Sequence, residues 1–212
     1  MQNPFDKYYK EYDRWYDENK FLYLSELNAL KKAIGNFKYK NAVEIGVGSG
    51  RFAKALGIRN GIEPSNKMGK IAAERGIKVI KAFGENIPFP DKNFDMVLIC
   101  FTLCFVQNSN QVLSEAKRIL KNNGILLIGI IDRNTKLGKY YLRKKKKNKF
   151  YANAKFYSAK VIIEKIRKLG FTKIKTYQTL FLDPVKLKNL KQIDRISKGY
   201  GEGGFVAISA KF

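Results

Sequence analysis

The residues with the clearest chemical role form a glycine-rich segment, Glu44-Ile45-Gly46-Val47-Gly48-Ser49-Gly50. The segment follows a short apolar run at 42–45 and precedes residues 52–56, which have the pattern of a helix start. Alternate glycines between a strand and a helix let the backbone turn tightly and approach a ligand closely. The segment therefore predicts a ligand-binding loop.

Two ligands fit the glycines of this loop. A dinucleotide such as NAD requires G-x-G-x-x-G or G-x-G-x-x-A, a spacing that Gly48, Gly50 and Ala53 satisfy. Its acidic partner usually lies about 20 residues further on, whereas Glu63 lies 15 residues beyond Gly48. S-adenosylmethionine gives Glu44 a role, because a carboxylate at the strand end attracts the ligand's ammonium group. At a pyrophosphate the same charge is repulsive. The glycines alone leave both ligands open.

Five motifs follow one another along the chain. They are Glu44-x-Gly46-x-Gly48-x-Gly50, Gly61-Ile62-Glu63-Pro64-Ser65-x-x-Met68, Gly84-Glu85-Asn86-Ile87-Pro88-Phe89, Asp91-x-x-Phe94-Asp95 and Arg118-Ile119-Leu120-Lys121-x-x-Gly124. In this order they resemble class I S-adenosylmethionine-dependent methyltransferases of the small-domain type related to menaquinone-biosynthesis enzymes. The likeness spans residues 40–180. It implies S-adenosylmethionine as cofactor and methyl transfer to a nucleophilic atom of a small-molecule acceptor.

The resemblance also implies a cofactor site. In the family, the acid that ends the second strand accepts both ribose hydroxyls, and Glu63 matches it. The motif at 84–89 lies near the adenine in the family, and Phe83 stands where many members carry Asp. The implied cofactor-binding residues are Glu44, Gly46, Val47, Gly48, Gly50, Glu63, Pro64, Ser65, Met68, Gly84, Glu85, Asn86, Phe101 and Thr102.

Other residues are candidates for the acceptor side of the site. The aromatic residues near the N-terminus recur at helical spacing, so they either line a substrate pocket or pack in the core. Polar residues after the fifth and before the last predicted strand lie at the sheet edge where ligands bind, although loop contacts are an equal rival. The candidate substrate-binding residues are Tyr12, Trp15, Tyr16 and Arg133, and the candidate catalytic residues are Asp132, Tyr200 and Glu202.

The composition excludes several kinds of site. The chain has no histidine, which disfavours a Ser-His-Asp triad, a histidine base and most catalytic zinc sites, so we predict no metal. Cys100 and Cys104 make no disulfide framework and indicate a reducing compartment. There is no apolar run of about 20 residues and no hydrophobic leader after Met1. We therefore expect a cytoplasmic protein without a membrane partner; its oligomeric state is not predicted.

The positive charge is concentrated in one part of the chain. The net charge is +24, and residues 133–175 contain 16 basic side chains and one acidic side chain. A patch of this kind either binds RNA or another acidic partner or forms a solvated, lysine-rich loop. The first interpretation keeps open an RNA or protein methyltransferase that grips its substrate through the run. The residues concerned are Arg143, Lys144, Lys145, Lys146, Lys147 and Lys149.

The elements that position these residues alternate between strand and helix. Apolar strands at 42–45, 60–63, 78–83, 94–100 and 125–131, followed by 171–182 and 205–211, are typical of a sheet buried on both faces. We predict a single 212-residue domain. It is α/β and Rossmann-like, with a seven-stranded, mostly parallel sheet, helices on both faces and an antiparallel last strand. Residues 1–35 would form an N-terminal helical cap, and residues 133–157 an irregular basic insertion near the substrate side. A less favoured alternative is an NAD(P)-binding Rossmann protein.

Overall fold

The computed structural model describes residues 4–187 and 189–212. Within them, eight strands form one sheet in the order β3-β2-β1-β4-β5-β8-β6-β7. The strands are β1 (Ala42–Ile45), β2 (Asn60–Ile62), β3 (Lys78–Ile80), β4 (Phe94–Cys100), β5 (Leu120–Ile131), β6 (Thr172–Thr179), β7 (Ser197–Lys198) and β8 (Phe205–Lys211). Strands β1 to β5 pair in parallel, and β8 pairs antiparallel with both β5 and β6. The Rossmann-like class and the antiparallel last strand are confirmed.

The helices cover both faces of this sheet. They are α1 (Pro4–Lys7), α2 (Tyr9–Glu18), α3 (Lys20–Ile34), α4 (Arg51–Ala55), α5 (Asn66–Glu74), α6 (Ser109–Ile119), α7 (Lys136–Lys144), α8 (Ala159–Lys168) and α9 (Pro184–Leu187). Within the described ranges, no helix combines the length and the apolar character needed to cross a membrane.

The core consists of two apolar layers, one on each face of the sheet. Successive residues of a strand point to opposite faces, so Ala42 and Met96 join one layer, whereas Val43 and Val97 join the other. The first layer packs on α3 and α4, and the second on α6 and α8. Because both faces are covered, the buried parts of the central strands are almost entirely apolar, with Glu44 as the exception, and the sequence shows the same pattern.

Two features of the predicted architecture need correction. The sheet has eight strands rather than seven, because the two-residue β7 pairs with β6 at the edge. A pair of polar residues leaves no apolar pattern from which a strand could be predicted. The predicted irregular insertion at 133–157 contains helix α7, which Thr135 caps by accepting a hydrogen bond from the N–H of Gly138 at 3.2 Å. Leu137 of this helix is buried in the core, which anchors it.

The predicted N-terminal cap divides into two parts with different positions. Helix α3 packs against β5, β6 and β8 and therefore belongs to a layer of the fold. Helices α1 and α2 cover the edge of the sheet, α1 against α5 and α2 against α3. Residues 1–3 of the predicted cap lie outside the described residues.

Arg118 fastens the segment between β3 and β4. Its guanidinium donates to the carbonyl oxygens of Ile87 and Phe89, both at 2.8 Å, and forms ion pairs with Glu115 and Asp91. We expect Arg118→Lys to lower the free energy of unfolding by about 2 kcal/mol, because an ammonium group cannot reproduce the planar fork. In a chain of this size that is roughly a 4–8 °C fall in Tm. Arg167→Lys, at an exposed position on α8, is the control; equal Tm values for the two variants would contradict this role.

Candidate active site

The carboxyl ends of β1 and β4 meet at the edge of the sheet. The two strands are neighbours, but the chain continues from them to opposite sides of the sheet. Ligands in open α/β sheets bind at such a switch point. Thr102, which follows β4, donates a hydrogen bond from Oγ1 to the carbonyl oxygen of Gly46 at 3.3 Å. The glycine loop and the end of β4 are therefore brought together, as the sequence predicts.

Gly46 occupies a position that tolerates no side chain. Its φ is +70°, and a Cβ atom there would lie 2.4 Å from both Cγ2 and Oγ1 of Thr102. The N–H groups of Gly46 and Val47 donate to the carbonyl oxygen of Ile62 at 2.8 and 3.0 Å. The side chain of Val47 is buried, so only its backbone lies at the edge of the sheet. The loop is thus held as a tight turn against the ends of β2 and β4.

Glu63 directly follows β2 and joins the glycine loop to α5. Its Oε2 accepts the N–H of Gly48 at 2.9 Å, and its Oε1 accepts the N–H of Ser65 at 2.9 Å. Burial raises the pKa of Glu63, although both backbone hydrogen bonds act in the opposite direction. Each carboxylate oxygen keeps a further lone pair for a ligand. Glu63 therefore positions the loop in addition to its predicted contact with the cofactor.

Glu44 is a buried carboxyl group with an unsatisfied oxygen. It is 2% exposed, and its Oε2 has no hydrogen-bond partner among the described residues. Burial raises the pKa of Glu44 well above its ordinary value; the N–H of Ala53 acts in the opposite direction, and the nearby Glu63 raises it further. A buried acceptor without a partner is costly. The arrangement therefore suits a cationic donor that the chain itself does not supply.

The remaining predicted residues after β2 shape α5 and the loop above it. Ser65 caps α5, since its Oγ accepts the N–H of Met68 at 3.2 Å and donates to Oδ1 of Asp6 at 2.6 Å. Met68 is buried, and its Cε lies 3.5 Å from where a Cβ of Gly48 would be. Pro64 is half-buried beside them. Ser65 and Met68 thus support the loop from inside the fold.

The segment after β3 presents one exposed aromatic ring. Phe83 is 66% exposed at the sheet edge, and the adjacent Gly84 is buried. The carboxylate of Glu85 accepts the N–H groups of residues 107 and 108 at 2.9 and 3.2 Å, which ties this segment to the start of α6. Asn86 has an exposed side chain, and its N–H donates to the carbonyl oxygen of Phe83 at 3.1 Å. Glu85 therefore holds the loop, and Phe83 and Asn86 face solvent at the site.

Helix α2 is clamped onto the glycine loop by charged side chains. Arg51, the first residue of α4, donates to Asp13 from Nε at 2.9 Å and from Nη2 at 3.1 Å, and it also pairs with Asp17. Arg75 donates one hydrogen bond to Asp13 at 2.8 Å and another to the carbonyl oxygen of Ser49 at 2.7 Å. Burial alone would raise the pKa of Asp13, but the hydrogen bonds from the two arginines lower it below its ordinary value. The clamp therefore fixes α2 above the loop.

A cavity of about 370 Å³ lies between α2 and the sheet edge. Tyr12, Trp15 and Tyr16 line it, so the structure brings the three aromatic candidates of the sequence to one wall. Phe101, which directly follows β4, lines it from the side of the switch point. The cavity is therefore adjacent to the predicted cofactor site.

Residues 148–151 form the roof of this cavity together with α2. The ring of Phe150 contacts the rings of Phe5, Tyr8 and Tyr12, with centroids 5.7, 6.2 and 5.3 Å apart. Lys149 forms an ion pair with Glu11 of α2. The basic segment thus covers part of the cavity through aromatic contacts and one ion pair.

The other acceptor-side candidates lie outside the lining of this cavity. Asp132 is buried, and its Oδ1 accepts the N–H of Asn134 at 3.0 Å, which stabilises the turn after β5. Arg133, Tyr200 and Glu202 are exposed. The described lining of the cavity includes none of these four candidates. They occupy the predicted edge of the sheet, but the structure does not bring them to the aromatic wall.

Three of the six side chains in the basic run make contacts within the chain. Lys149 pairs with Glu11, and Lys145 donates from Nζ to a backbone carbonyl of the same segment at 2.6 Å. Nζ of Lys144 lies 4.7 Å from the centroid of the Tyr140 ring. Half of the run is therefore engaged within the chain, and the described structure does not support a nucleic-acid partner for it.

The sequence interpretation missed a buried carboxyl group in the cavity. Glu26 of α3 lines it, is 2% exposed, and has no hydrogen-bond partner for Oε2 among the described residues. A signal was present, because Glu26 interrupts an otherwise apolar helical stripe that includes Leu22 and Leu30. Tyr141 and Tyr151, also in the lining, come from the segment that was expected to be irregular.

Comparison with known proteins identifies the family. A family model described as "Methyltransferase domain" matches residues 43–128. An uncharacterised protein of Methanocaldococcus jannaschii is 51% identical over 99% of this chain and 98% of its own length. A demethylmenaquinone methyltransferase of a Geobacillus strain is 30% identical over 58% of this chain and 59% of its own length.

A solved structure agrees over the whole chain. A crystal structure from Thermotoga maritima, described as a "SAM-dependent methyltransferase, possible histamine N-methyltransferase", has a TM-score of 0.93 and 43% identity. The match covers 100% of this chain and 99% of that chain. The chain therefore belongs to the class I S-adenosylmethionine-dependent methyltransferases, and S-adenosylmethionine is its cofactor. This confirms the resemblance inferred from the five motifs and favours the second of the two ligands considered for the glycine loop.

Proposed function

We propose that the protein transfers the methyl group of S-adenosylmethionine to a nucleophilic atom of a small molecule bound in the aromatic cavity. The observation that carries this proposal is the cavity itself. It touches the switch point through Phe101, and its volume of about 370 Å³ lies within the range of small-molecule sites, roughly 300–1,000 Å³. Its roof consists of residues 148–151 and α2, which the Lys149–Glu11 ion pair joins, and a partly covered cavity of this kind suits a small ligand better than a nucleic-acid strand.

The residues at the switch point fit the cofactor. The unpartnered Oε2 of Glu44 suits the ammonium group of its methionine part. The backbone at Gly46 allows close approach, because no side chain projects there. Glu63 retains acceptor capacity for the ribose hydroxyls, and the exposed ring of Phe83 offers an apolar face to the adenine.

When bound, S-adenosylmethionine supplies a methyl group on a positively charged sulfur. The contribution of the chain is to hold the acceptor beside it and to exclude water. Orientation of two reactants can lower a barrier by roughly 7–11 kcal/mol. Burial raises the pKa of Cys104 to about 12, so its thiol stays protonated and is not a nucleophile at neutral pH. The proposed reaction therefore depends on positioning by the cavity wall and not on Cys104 as a nucleophile.

Calorimetric titration tests the cofactor part of this proposal. We expect S-adenosylmethionine and S-adenosylhomocysteine to bind at micromolar concentrations, while NAD and NADP give no signal. Glu63→Gln, which removes the charge but keeps the shape, should weaken both ligands by about tenfold or more, because one acceptor oxygen becomes a donor. Binding of NAD in place of S-adenosylmethionine would contradict the assignment of the loop.

Methyl transfer from radiolabelled cofactor tests the acceptor part. A panel of small amines and phenols would be compared with tRNA and with a lysate protein fraction under the same conditions. We expect the label to enter a small molecule. Label in tRNA or protein, with none in the small-molecule fraction, would overturn a small-molecule acceptor while leaving the methyltransferase family unaffected.

A further inference from the structure

Glu26 is the least expected residue of the aromatic cavity. A carboxyl group that is 2% exposed, with an oxygen that lacks a partner among the described residues, is a costly feature in a folded chain. It lines the cavity of about 370 Å³ rather than the protein interior alone. A cavity bordered by an unsatisfied carboxyl oxygen is complementary to a ligand that brings a donor.

The groups around Glu26 provide no positive counter-charge for its carboxyl group. The described side chains that interact with it electrostatically belong to α2, α3, α7, β4 and the roof; they are Tyr12, Tyr16, Tyr23, Cys100, Tyr141 and Tyr151. Burial raises the pKa of each of them, so all are uncharged at neutral pH. Two cations line the cavity, Arg14 from an exposed position on α2 and Lys149, which pairs with Glu11. Neither forms an ion pair with Glu26 among the described residues.

The walls are suited to a cation as well. Tyrosine and tryptophan rings attract an ammonium group through the negative face of the ring, most strongly where water is excluded. Tyr12, Trp15 and Tyr16 form one wall, and Tyr141 and Tyr151 contribute further rings. A cationic ligand would satisfy the unpartnered oxygen of Glu26 and contact the faces of these rings at the same time.

We propose that the cavity binds an organic amine in its cationic form, with the carboxylate of Glu26 as counter-ion and the tyrosine and tryptophan rings as its walls. As an acceptor site, this inference rests on the proposed function. An ammonium nitrogen has no free lone pair, so it must lose a proton before it can be methylated. The N–H bond breaks, the nitrogen keeps the electron pair, and the proton passes to a carboxylate oxygen of Glu26.

Ionisation of Glu26 gives this site a measurable signature. Burial raises the pKa of Glu26 well above its ordinary value, so the empty cavity holds the carboxyl proton to higher pH than a solvated glutamate would. A bound cation favours the charged form and lowers that pKa. Binding of a permanent cation therefore releases protons, and its affinity rises with pH across the range in which Glu26 ionises.

Choline is a suitable probe because its quaternary nitrogen carries no proton to lose. Its neutral counterpart, 3,3-dimethylbutan-1-ol, has the same shape without the charge. Calorimetry of both in two buffers of different ionisation enthalpy, at several values between about pH 6 and pH 8, separates binding from proton release. We expect choline to bind at least about tenfold more tightly than the alcohol, with proton release.

Glu26→Gln should abolish the proton release and lower the affinity for choline by about tenfold or more, while leaving the affinity for the alcohol unchanged. Glu18→Gln is the matched control, because Glu18 lines the same cavity from an exposed position. Thermal unfolding and S-adenosylmethionine binding of each variant show that the fold and the cofactor site are intact.

Three results would overturn the inference: no binding of choline, equal affinity for choline and the alcohol, or unchanged choline binding by Glu26→Gln. The titrations need no cofactor, so their failure is distinct from failure of the proposed function. That function fails instead if S-adenosylmethionine does not bind or if the label goes only to a macromolecule.

Discussion

Gly46→Ala is expected to lower the affinity for S-adenosylmethionine by two to three orders of magnitude. The new Cβ would lie 2.4 Å from two atoms of Thr102, and the φ of +70° is unfavourable for a residue with a side chain. Overpacking costs about 1–3 kcal/mol and the left-handed backbone about 1–2 kcal/mol. The loop can relieve both only by moving away from β4. The displaced loop no longer has the shape that binds the cofactor. Because each tenfold loss of affinity corresponds to about 1.4 kcal/mol, these combined costs correspond to the expected loss.

Gly57→Ala is the control for backbone strain. Gly57 has nearly the same φ, +71°, but a Cβ there meets nothing within 4 Å. Both variants should lose about 1–2 kcal/mol of stability from the backbone, and Gly57→Ala should bind S-adenosylmethionine as the wild type does. Thr102→Ala added to Gly46→Ala removes the two closest atoms and should restore part of the affinity. Wild-type affinity in Gly46→Ala alone would refute the close approach at the switch point.

The elements that the sequence predicts most accurately are those determined by local pattern. β1, β4 and β8 have the predicted bounds because each is a mainly apolar run between turn residues. The glycine loop and Glu63 fall where the motif order requires, because their positions follow from the end of a strand. These features depend on residues close together in the chain.

The aromatic cavity could not be predicted in the same way because it depends on distant contacts. Its roof joins Glu11 to Lys149, residues 138 positions apart, and no local pattern records that pairing. For the same reason the sequence pattern predicts that Asp132 and Arg133 lie at the end of β5 but does not show that they lie outside the cavity wall. Glu26 could have been found, because a charge within a buried helical stripe needs an explanation. The segment containing Tyr141 has no comparable feature, because its many lysines obscure the apolar pattern from which a helix could be predicted.

Asp13→Asn is expected to release α2 from the glycine loop. Asp13 is the link between Arg51 and Arg75, and the side chains of all three are at least three-quarters buried. Removing one partner of a largely buried ion pair leaves the other charges unsatisfied, which costs about 2–3 kcal/mol here. Because the clamp connects α2 to the loop rather than to the core, we expect local detachment of α2 before global unfolding.

Trp15 reports this detachment directly. It is the one tryptophan of the sequence and lies on α2 in the cavity wall. In Asp13→Asn its fluorescence should shift to longer wavelength at neutral pH, and chymotrypsin should cleave at the aromatic residues of α2 about tenfold faster or more, since about 1.4 kcal/mol of opening free energy gives each factor of ten. Asp17→Asn is the matched control: Asp17 also pairs with Arg51, but its side chain is 65% exposed. Its expected effect is below about 0.5 kcal/mol.

The pH dependence of the wild type follows from the same ion pairs. The pKa of Asp13 is lower in the folded protein than in the unfolded chain. Its stabilising contribution is therefore complete above the unfolded pKa, about 3.9, and is lost as the pH falls through the folded value. Trp15 emission of the wild type should stay constant from neutral pH down to about pH 5 and shift only in stronger acid. In Asp13→Asn the shift should already be present at neutral pH. A wild-type shift near neutral pH would show that another group, rather than the Asp13 carboxylate, holds α2 over the cavity.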